Sequence, residues 1–396
     1  MKLNRPSSAR SDGISQLVLA ATQWEQASSR PEASYAETQL AGLIDAQLAS
    51  GKDTSLLAAL DDLWHDHPKA YELLADLIED RIQTQQVEGE PVAVLVLIPV
   101  LTWSRNALPS GKTDAKLVEE LKSCLQLHCL APSVSLCLGH TLYTPDSLPE
   151  GFAHTAKWAR SYFDAARLGK DVPHGKRNPP EDEAYFLADC RFWAGIVRAP
   201  AGAPLFQWQH TAKLSATQAT SIKQNWVVQA ALAMQPMFIG CGYEVLPPAG
   251  YFSACRASES QIRGFSLKAS AHMIMSSLDL TPEDLRVVVG ACWGTEFEEY
   301  RVSLLVRDND TVLQGVSWPL LARTAGEAES PDQMLADIMQ VLNELGIQRV
   351  RVLEPQLAME FCEDCGTPLF PDPAAEMVHT GSPDEDDVDT PSLVIH

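Results

Sequence analysis

Pro91-Val-Ala-Val-Leu-Val-Leu-Ile-Pro99 is the stretch on which the fold turns. Val92 to Ile98 is an apolar run with no polar alternation, bounded by two prolines, and such a run suggests a strand buried on both faces. Downstream, Leu117, Val118, Leu121, Leu125 and His128 share one helical stripe. Val134-Ser-Leu-Cys-Leu138 then reads as another strand, and Phe152 to Leu168 as another helix with Gly169 at the C-cap position. Strand, helix, strand, helix in that order predicts a βαβ crossover with parallel pairing.

Upstream of the run the period is helical. Leu56, Leu57, Leu60, Leu63 and Trp64 recur at spacings of three and four. Ala70, Tyr71, Leu74, Leu77 and Ile78 continue the pattern after Pro68, so residues 14–90 read as three or four helices packed as hairpins. Residues 170–183 hold Pro173, Pro179, Pro180 and Gly175 and break every period, which places a linker there. Beyond it, helices near Ala216 to Met237 and Gln261 to Leu278 precede strands near Arg286 to Cys292, Glu299 to Val306 and Thr311 to Pro319. Asp308-Asn-Asp310 supplies turn chemistry for an antiparallel hairpin. Ser330 and Pro331 start a helix whose face is Met334, Leu335, Ile338, Val341, Leu342 and Leu345, and Arg349 to Leu353 is the final strand. The expectation is a mixed α/β and α+β protein. It has a helical segment at 14–90, a βαβ-type region at 91–169, a linker at 170–183, and an α+β domain at 184–380 ending in a zinc-knuckle-like loop. Disordered ends are expected at 1–13 and, as an acidic tail, at 381–396.

The chain has 396 residues, 45% hydrophobic and 21% charged, which fits two or three globular domains rather than a chain disordered throughout. Its net charge of −22 repels phosphate backbones and argues against general nucleic-acid binding. That charge is local. Residues 351–396 carry one basic and eleven acidic side chains, and residues 51–100 carry three and ten, leaving the rest nearly neutral. Lys157, Arg160, Arg167, Lys170, Lys176 and Arg177, interleaved with Trp158, Tyr162 and Phe163, form the one basic cluster, read as a wet helix face. No secretory signal follows the basic Met1 to Gly13, and the longest apolar run is about half of the roughly 20 residues a membrane span needs. Nine scattered cysteines do not resemble the framework of a small secreted domain, so a reducing cytoplasm is expected.

Cys362-Glu-Asp-Cys365-Gly366 is the strongest chemical signal. Two thiolates two residues apart can grip one tetrahedral Zn²⁺, and the following glycine lets the loop turn. His379 follows Cys365 after a gap of thirteen residues, near finger spacing, but no second histidine follows three to five residues later; only Asp384 and Glu385 stand near that position. Cys241 or Cys255 could complete the shell from another segment. The competing chemistry is thiol redox, and Glu363 and Asp364 argue against it, because adjacent carboxylates disfavour a thiolate and favour a bound dication.

Asn106-Ala-Leu-Pro-Ser-Gly-Lys-Thr113 follows a strand and precedes a helix, as a phosphate-cradling loop does. Asn106 replaces the required first glycine, however, and Pro109 removes an N–H. His65-Asp-His67 marks a helix end, and Cys124 with His128 sits on a core stripe. No Gly-x-Ser-x-Gly, His-Glu-x-x-His or EF-hand loop occurs.

Gly240-Cys-Gly-Tyr-Glu-Val-Leu-Pro247, Tyr251-Phe-Ser-Ala-Cys-Arg256, Glu299-Tyr-Arg-Val-Ser-Leu-Leu305, Gly315-Val-Ser-Trp-Pro319, Cys362-Glu-Asp-Cys-Gly-Thr-Pro-Leu-Phe-Pro371 and Glu376-Met-Val-His379 resemble an uncharacterised bacterial family catalogued only as a domain of unknown function. The resemblance covers most of the chain outside the acidic tail and implies a bacterial cytosolic origin, with no activity, cofactor or catalytic residue to carry over. The expected function is a non-enzymatic cytosolic interaction or regulatory protein in which Cys362, Cys365 and His379 hold a structural Zn²⁺. The alternative is an enzyme, metal-assisted or nucleotide-binding, with its site between the two halves. The expected partner is a protein, a homodimer is compatible, and neither membrane nor general nucleic-acid binding is expected.

Overall fold

The structure, a computed structural model, describes residues 12–105, 107–169, 187–209, 214–321 and 329–381. The expected disordered start, the 170–183 linker, Asn106 and the acidic tail after Gly381 lie outside those residues, wholly or for the most part. The chain divides into two compact units, Met1–Ser258 with Arg323–Ala328, and Glu259–Ala322 with Glu329–His396.

The first unit opens with four helices, α1 (Asp12–Glu25), α2 (Arg30–Ser50), α3 (Thr54–Trp64) and α4 (Pro68–Gln83). Ser29 and Glu32 close a capping box at the start of α2, and Gly51, at φ 74°, ends it in the left-handed conformation that glycine adopts without strain. Leu17, Leu40, Ile44, Leu56, Leu63, Leu74 and Ile78 recur at helical spacing and pack into one dry cluster, as the period predicts.

Next come β1 (Thr84–Gln85), β2 (Val92–Ser104), β3 (Gly111–Lys112), α5 (Ala115–His128), β4 (Ser135–Tyr143), α6 (Phe152–Leu168), β5 (Leu187–Ala199), α7 (Ala216–Met234), β6 (Gly242–Val245) and β7 (Ala249–Gly250). The sheet runs β1-β2-β5-β4-β3, with β6 and β7 also on β2. The βαβ-type connection is present, but the parallel pairing is not. β5 lies between β2 and β4 and is antiparallel to both, matching β2 from Val92↔Ala199 to Ser104↔Leu187. β2 and β4 therefore run the same way without touching. Val96, Ile98 and Val100 on one face of β2 join Val118, Leu121, Leu125, Trp193 and Trp226, while Leu95, Leu97 and Leu101 on the other are buried as well. Burial on both faces explains the unbroken apolar run, and that burial is compatible with either strand direction. β5 is central to this sheet, so the elements before and after residues 170–183 belong to one unit.

The boundary between units falls within α8 (Tyr251–Leu278), which begins ten residues before the helix expected from Gln261. The second unit adds β8 (Leu285–Trp293), β9 (Phe297–Val306), β10 (Gln314–Pro319), α9 (Pro331–Glu344), β11 (Val350–Val352), β12 (Leu357–Ala358), β13 (Phe370–Pro371) and β14 (Met377–Val378). β8, β9 and β10 form the antiparallel meander that the sequence suggests, turning at Asp308-Asn-Asp310, where the Asn309 side chain accepts from Thr311 N at 2.8 Å. β11 and β12 instead pair parallel with β8. Ser330 caps α9 as expected, accepting from Gln333 N at 3.2 Å. One face of the meander, with Val302, Leu304 and Trp318, packs on α9 residues Met334, Ile338 and Leu342. The opposite face is smaller, built from Val288, Cys292, Leu305, Leu357 and Phe370. It carries the candidate site.

Candidate metal centre

Side chains alternate across a strand, so Glu299, Arg301, Ser303 and Leu305 of β9 point to the smaller face together. A charged residue on a buried face requires partners. Arg301 is fully buried, its Nε donates to Glu299 Oε1 at 2.7 Å, and its Nη1 donates to the carbonyls of Glu360 and Leu369, each at 2.5 Å. Ser303 Oγ donates to the carbonyl of Pro371 at 2.6 Å. Both contacts hold the segment 360–371 against β9. Gly315 permits the close approach of that segment, because a Cβ there would run into the Phe370 ring.

The held segment is a knuckle. Phe361 bridges Pro368, Cys362 N donates to Thr367 O at 2.8 Å, and Gly366 N donates to Cys362 O at 2.9 Å. Gly366 has φ 72°, so the glycine after the second cysteine performs the turn anticipated from sequence. β13 then pairs antiparallel with β14 in the register Phe370↔Val378, and the Asp372 side chain accepts from Ala374 N and Glu376 N to close the turn between them. This register returns His379 to the knuckle. The Sγ atoms of Cys362 and Cys365 and a ring nitrogen of His379 all lie within 4.8 Å of one another, a cluster able to hold a metal ion. Cys365 Sγ and His379 Nε2 are 3.3 Å apart. His379 Nδ1 lies 2.9 Å from the Thr380 carbonyl, so a neutral ring that donates there turns its acceptor nitrogen, Nε2, toward Cys365, the usual outer support of a ligating histidine.

The electrostatics depart from the sequence argument in one respect. Glu363 and Asp364 were expected to oppose a thiolate, yet Cys365 titrates down at about 6, held there first by the Thr367 hydroxyl and backbone and then by His379 and Cys362. His379 is raised in turn, chiefly by its contact with Cys365 and then by the Thr380 carbonyl. Hydrogen bonds at contact distance outweigh carboxylates that point into water. Thr367 was not singled out from the sequence. Its Oγ1 lies 3.0 Å from Cys365 Sγ and 3.2 Å from His379 Nε2. Arg301 and Glu299 were also missed as contributors, although a Glu-x-Arg pair on the buried phase of a strand is a readable signal.

The other sequence candidates stay apart. Cys241 and Cys255 do not join the cluster. Burial pushes the Cys124 thiol up to about 11, and His128 Nδ1 meets Asn225 Nδ2 at 3.2 Å instead. His65 and His67 flank the α3–α4 turn, as a helix end predicts, with His67 beside Glu25 at 3.4 Å. Gly111-Lys112 forms an edge strand on β4, and the Asp114 carboxylate caps α5 by accepting from Lys116 N at 2.7 Å. A carboxylate already occupies the helix end where a phosphate would sit, so residues 107–114 do not assemble a cradle. Lys157, Arg160 and Arg167 lie on α6, where Arg167 pairs with Glu90 at 3.1 Å; Lys170, Lys176 and Arg177 lie outside the described residues.

Mixed α/β architecture and a Cys₂His cluster at the end of an α+β unit define the class: a two-unit protein with a knuckle-type candidate metal centre. The family model described as Protein of unknown function (DUF2863) matches residues 2–393, and the chain belongs to that family. No curated protein and no solved structure matches it. Among the described residues, no helix is long and apolar enough to cross a membrane.

Proposed function

We propose that the chain is a non-enzymatic interaction or regulatory protein of the cytosol whose C-terminal knuckle is held by Zn²⁺ on Cys362, Cys365 and His379. The observation that carries this reading is the convergence of two thiols and one imidazole within 4.8 Å from positions up to seventeen residues apart. Donors of these types suit a borderline-soft dication. In a zinc tetrahedron they stand about 3.5–3.8 Å apart, so loading needs rotamer adjustment and no rebuilding of the backbone. The ion would tie the Cys362–Cys365 turn to the strand end after β14. It would thereby add to the apolar contacts that Phe370, Met377 and Val378 make on the smaller face. Nine free cysteines fit a reducing compartment, and the acidic balance favours a protein partner over nucleic acid.

Metal analysis of the purified full chain tests the reading. It should give close to one zinc per chain, and Cys362→Ser should carry none while keeping its far-UV circular dichroism. Zinc retained in Cys362→Ser sinks the assignment.

A further inference from the structure

We infer that the fourth coordination position of this centre is exchangeable and takes a neutral nitrogen donor of the imidazole class. This inference rests on the metal reading above. Three observations lead to it.

The first is the donor count. Among the described residues no further His, Cys, Asp or Glu belongs to the cluster, so three protein ligands leave one tetrahedral vertex. The second is the group beside the donors. Thr367 Oγ1 stands 3.0 Å from Cys365 Sγ and 3.2 Å from His379 Nε2, in contact with two of the three donors, which themselves lie 3.3 Å apart. A threonine hydroxyl is neutral and lies outside the thiolate, imidazole and carboxylate set that zinc prefers. It can hold the vertex or orient a water there, and a better donor displaces it. The third is access. Cys365, Gly366, Thr367 and His379 are exposed, so an incoming ligand meets no wall.

Charge selects the ligand. Two thiolates and a neutral imidazole cancel the dication, which removes the net attraction that draws anions to most zinc sites. Glu360, Glu363 and Asp364, all exposed on the same knuckle, then make its surroundings negative. Anionic donors are disfavoured, and a neutral ring nitrogen is not. Phe361, half exposed one residue before the first ligand, adds an apolar surface suited to a flat ring. A histidine side chain of a protein partner and a free imidazole share this chemistry.

Cobalt substitution of the full chain tests the inference, because tetrahedral Co²⁺ reports both thiolate ligation and changes at the fourth vertex. One Co²⁺ per monomer with thiolate-to-metal charge-transfer absorption is expected. Imidazole should shift the visible ligand-field bands to saturation, at concentrations at least about tenfold below those azide requires, the size of effect that one nearby like charge produces. Thr367→Val should keep the charge-transfer absorption, alter the ligand-field bands, and bind imidazole more tightly. Bands that do not move with imidazole, azide binding as tight as imidazole, or one metal shared by two chains would each overturn the inference and leave the zinc reading standing. Unaltered bands in Thr367→Val would remove Thr367 from the vertex. Absence of charge-transfer absorption overturns the metal reading itself, and this inference with it.

Discussion

Two loops of this molecule are fastened by the same device and put to different ends. In the first unit Arg191 of β5 is 4% exposed, pairs with Asp189 two residues before it at 2.5 Å, and donates to the carbonyl of Pro109 at 2.9 Å. In the second unit Arg301 of β9 is fully buried, pairs with Glu299 two residues before it, and donates to two carbonyls at the knuckle's base. In both, an acid-x-Arg pair on the inward phase of a central strand reaches a loop that the sequence marked as a candidate site. One loop, 107–114, carries a strand edge and a helix cap. The other brings two thiols and an imidazole to one point, a cluster able to hold a metal ion. Anchoring a loop is therefore separable from equipping it, and a motif counts only where the fold converges its donors.

The largest test of that comparison is to remove the anchors. Arg301→Met leaves Glu299 buried without its cation and two carbonyls without donors, and breaking a buried pair in this way costs about 3–5 kcal/mol. Arg191→Met should cost less, because the Asp189 side chain is 31% exposed against 11% for Glu299 and can be hydrated. Denaturant unfolding of both variants checks the ranking; equal losses would mean that burial of the carboxylate does not set the difference. The second test is metal. Zinc at a hundredfold over its dissociation constant adds about 2.7 kcal/mol to whatever folds with the site. Hydrogen exchange with and without chelator should therefore change at residues 360–380 and leave 107–114 unmoved. Protection gained equally in both loops would break the contrast.

The comparison also shows what a sequence can disclose. Local signals were legible: the helical period of 14–82, the Ser330 cap, the Asp308–Asp310 turn, and the Cys362–Cys365 spacing with Gly366 at its turn. Each depends on residues near one another in the chain. Strand direction was not legible, because β2 is buried on both faces whichever way its neighbour runs, and the neighbour, β5, lies some ninety residues downstream. His379 was legible as a candidate by its spacing, whereas its place in the cluster depends on the Phe370↔Val378 register. Thr367 was hidden for a different reason. A threonine carries no metal signature, and its role comes only from where its hydroxyl falls.

A third expectation concerns the metal-free knuckle, where Cys365 titrates near 6 and buried thiols of the same unit do not. Cys292, on β8, is pushed up to about 11 by burial. A depressed thiol is reactive above its pKa, so alkylation of Cys365 by iodoacetamide should fall as pH drops through about 6, while Cys292 stays unreactive to about 11. Thr367→Val should move the Cys365 midpoint upward, since the Thr367 hydroxyl is the largest cause of the depression. Peptide mass mapping of the alkylated chelator-treated protein reads both sites at once. A midpoint unchanged in the variant would mean that the Thr367 backbone, His379 and Cys362 set the thiolate without the hydroxyl.

The smallest effect belongs to the loop that is anchored but not equipped. Lys112 is exposed at the edge of the first sheet and pairs with Thr141 through its backbone, so Lys112→Ala removes no buried partner and should change stability by less than about 0.5 kcal/mol. The same substitution would be decisive in a phosphate-binding loop, where the lysine supplies the charge that holds the nucleotide. ATP with Mg²⁺ should therefore leave the melting temperature of both proteins unmoved. A shift in the parent chain that Lys112→Ala abolishes would show that Asp114, now capping α5, yields its place to phosphate. The two loops would then be alike in function as well as in anchorage.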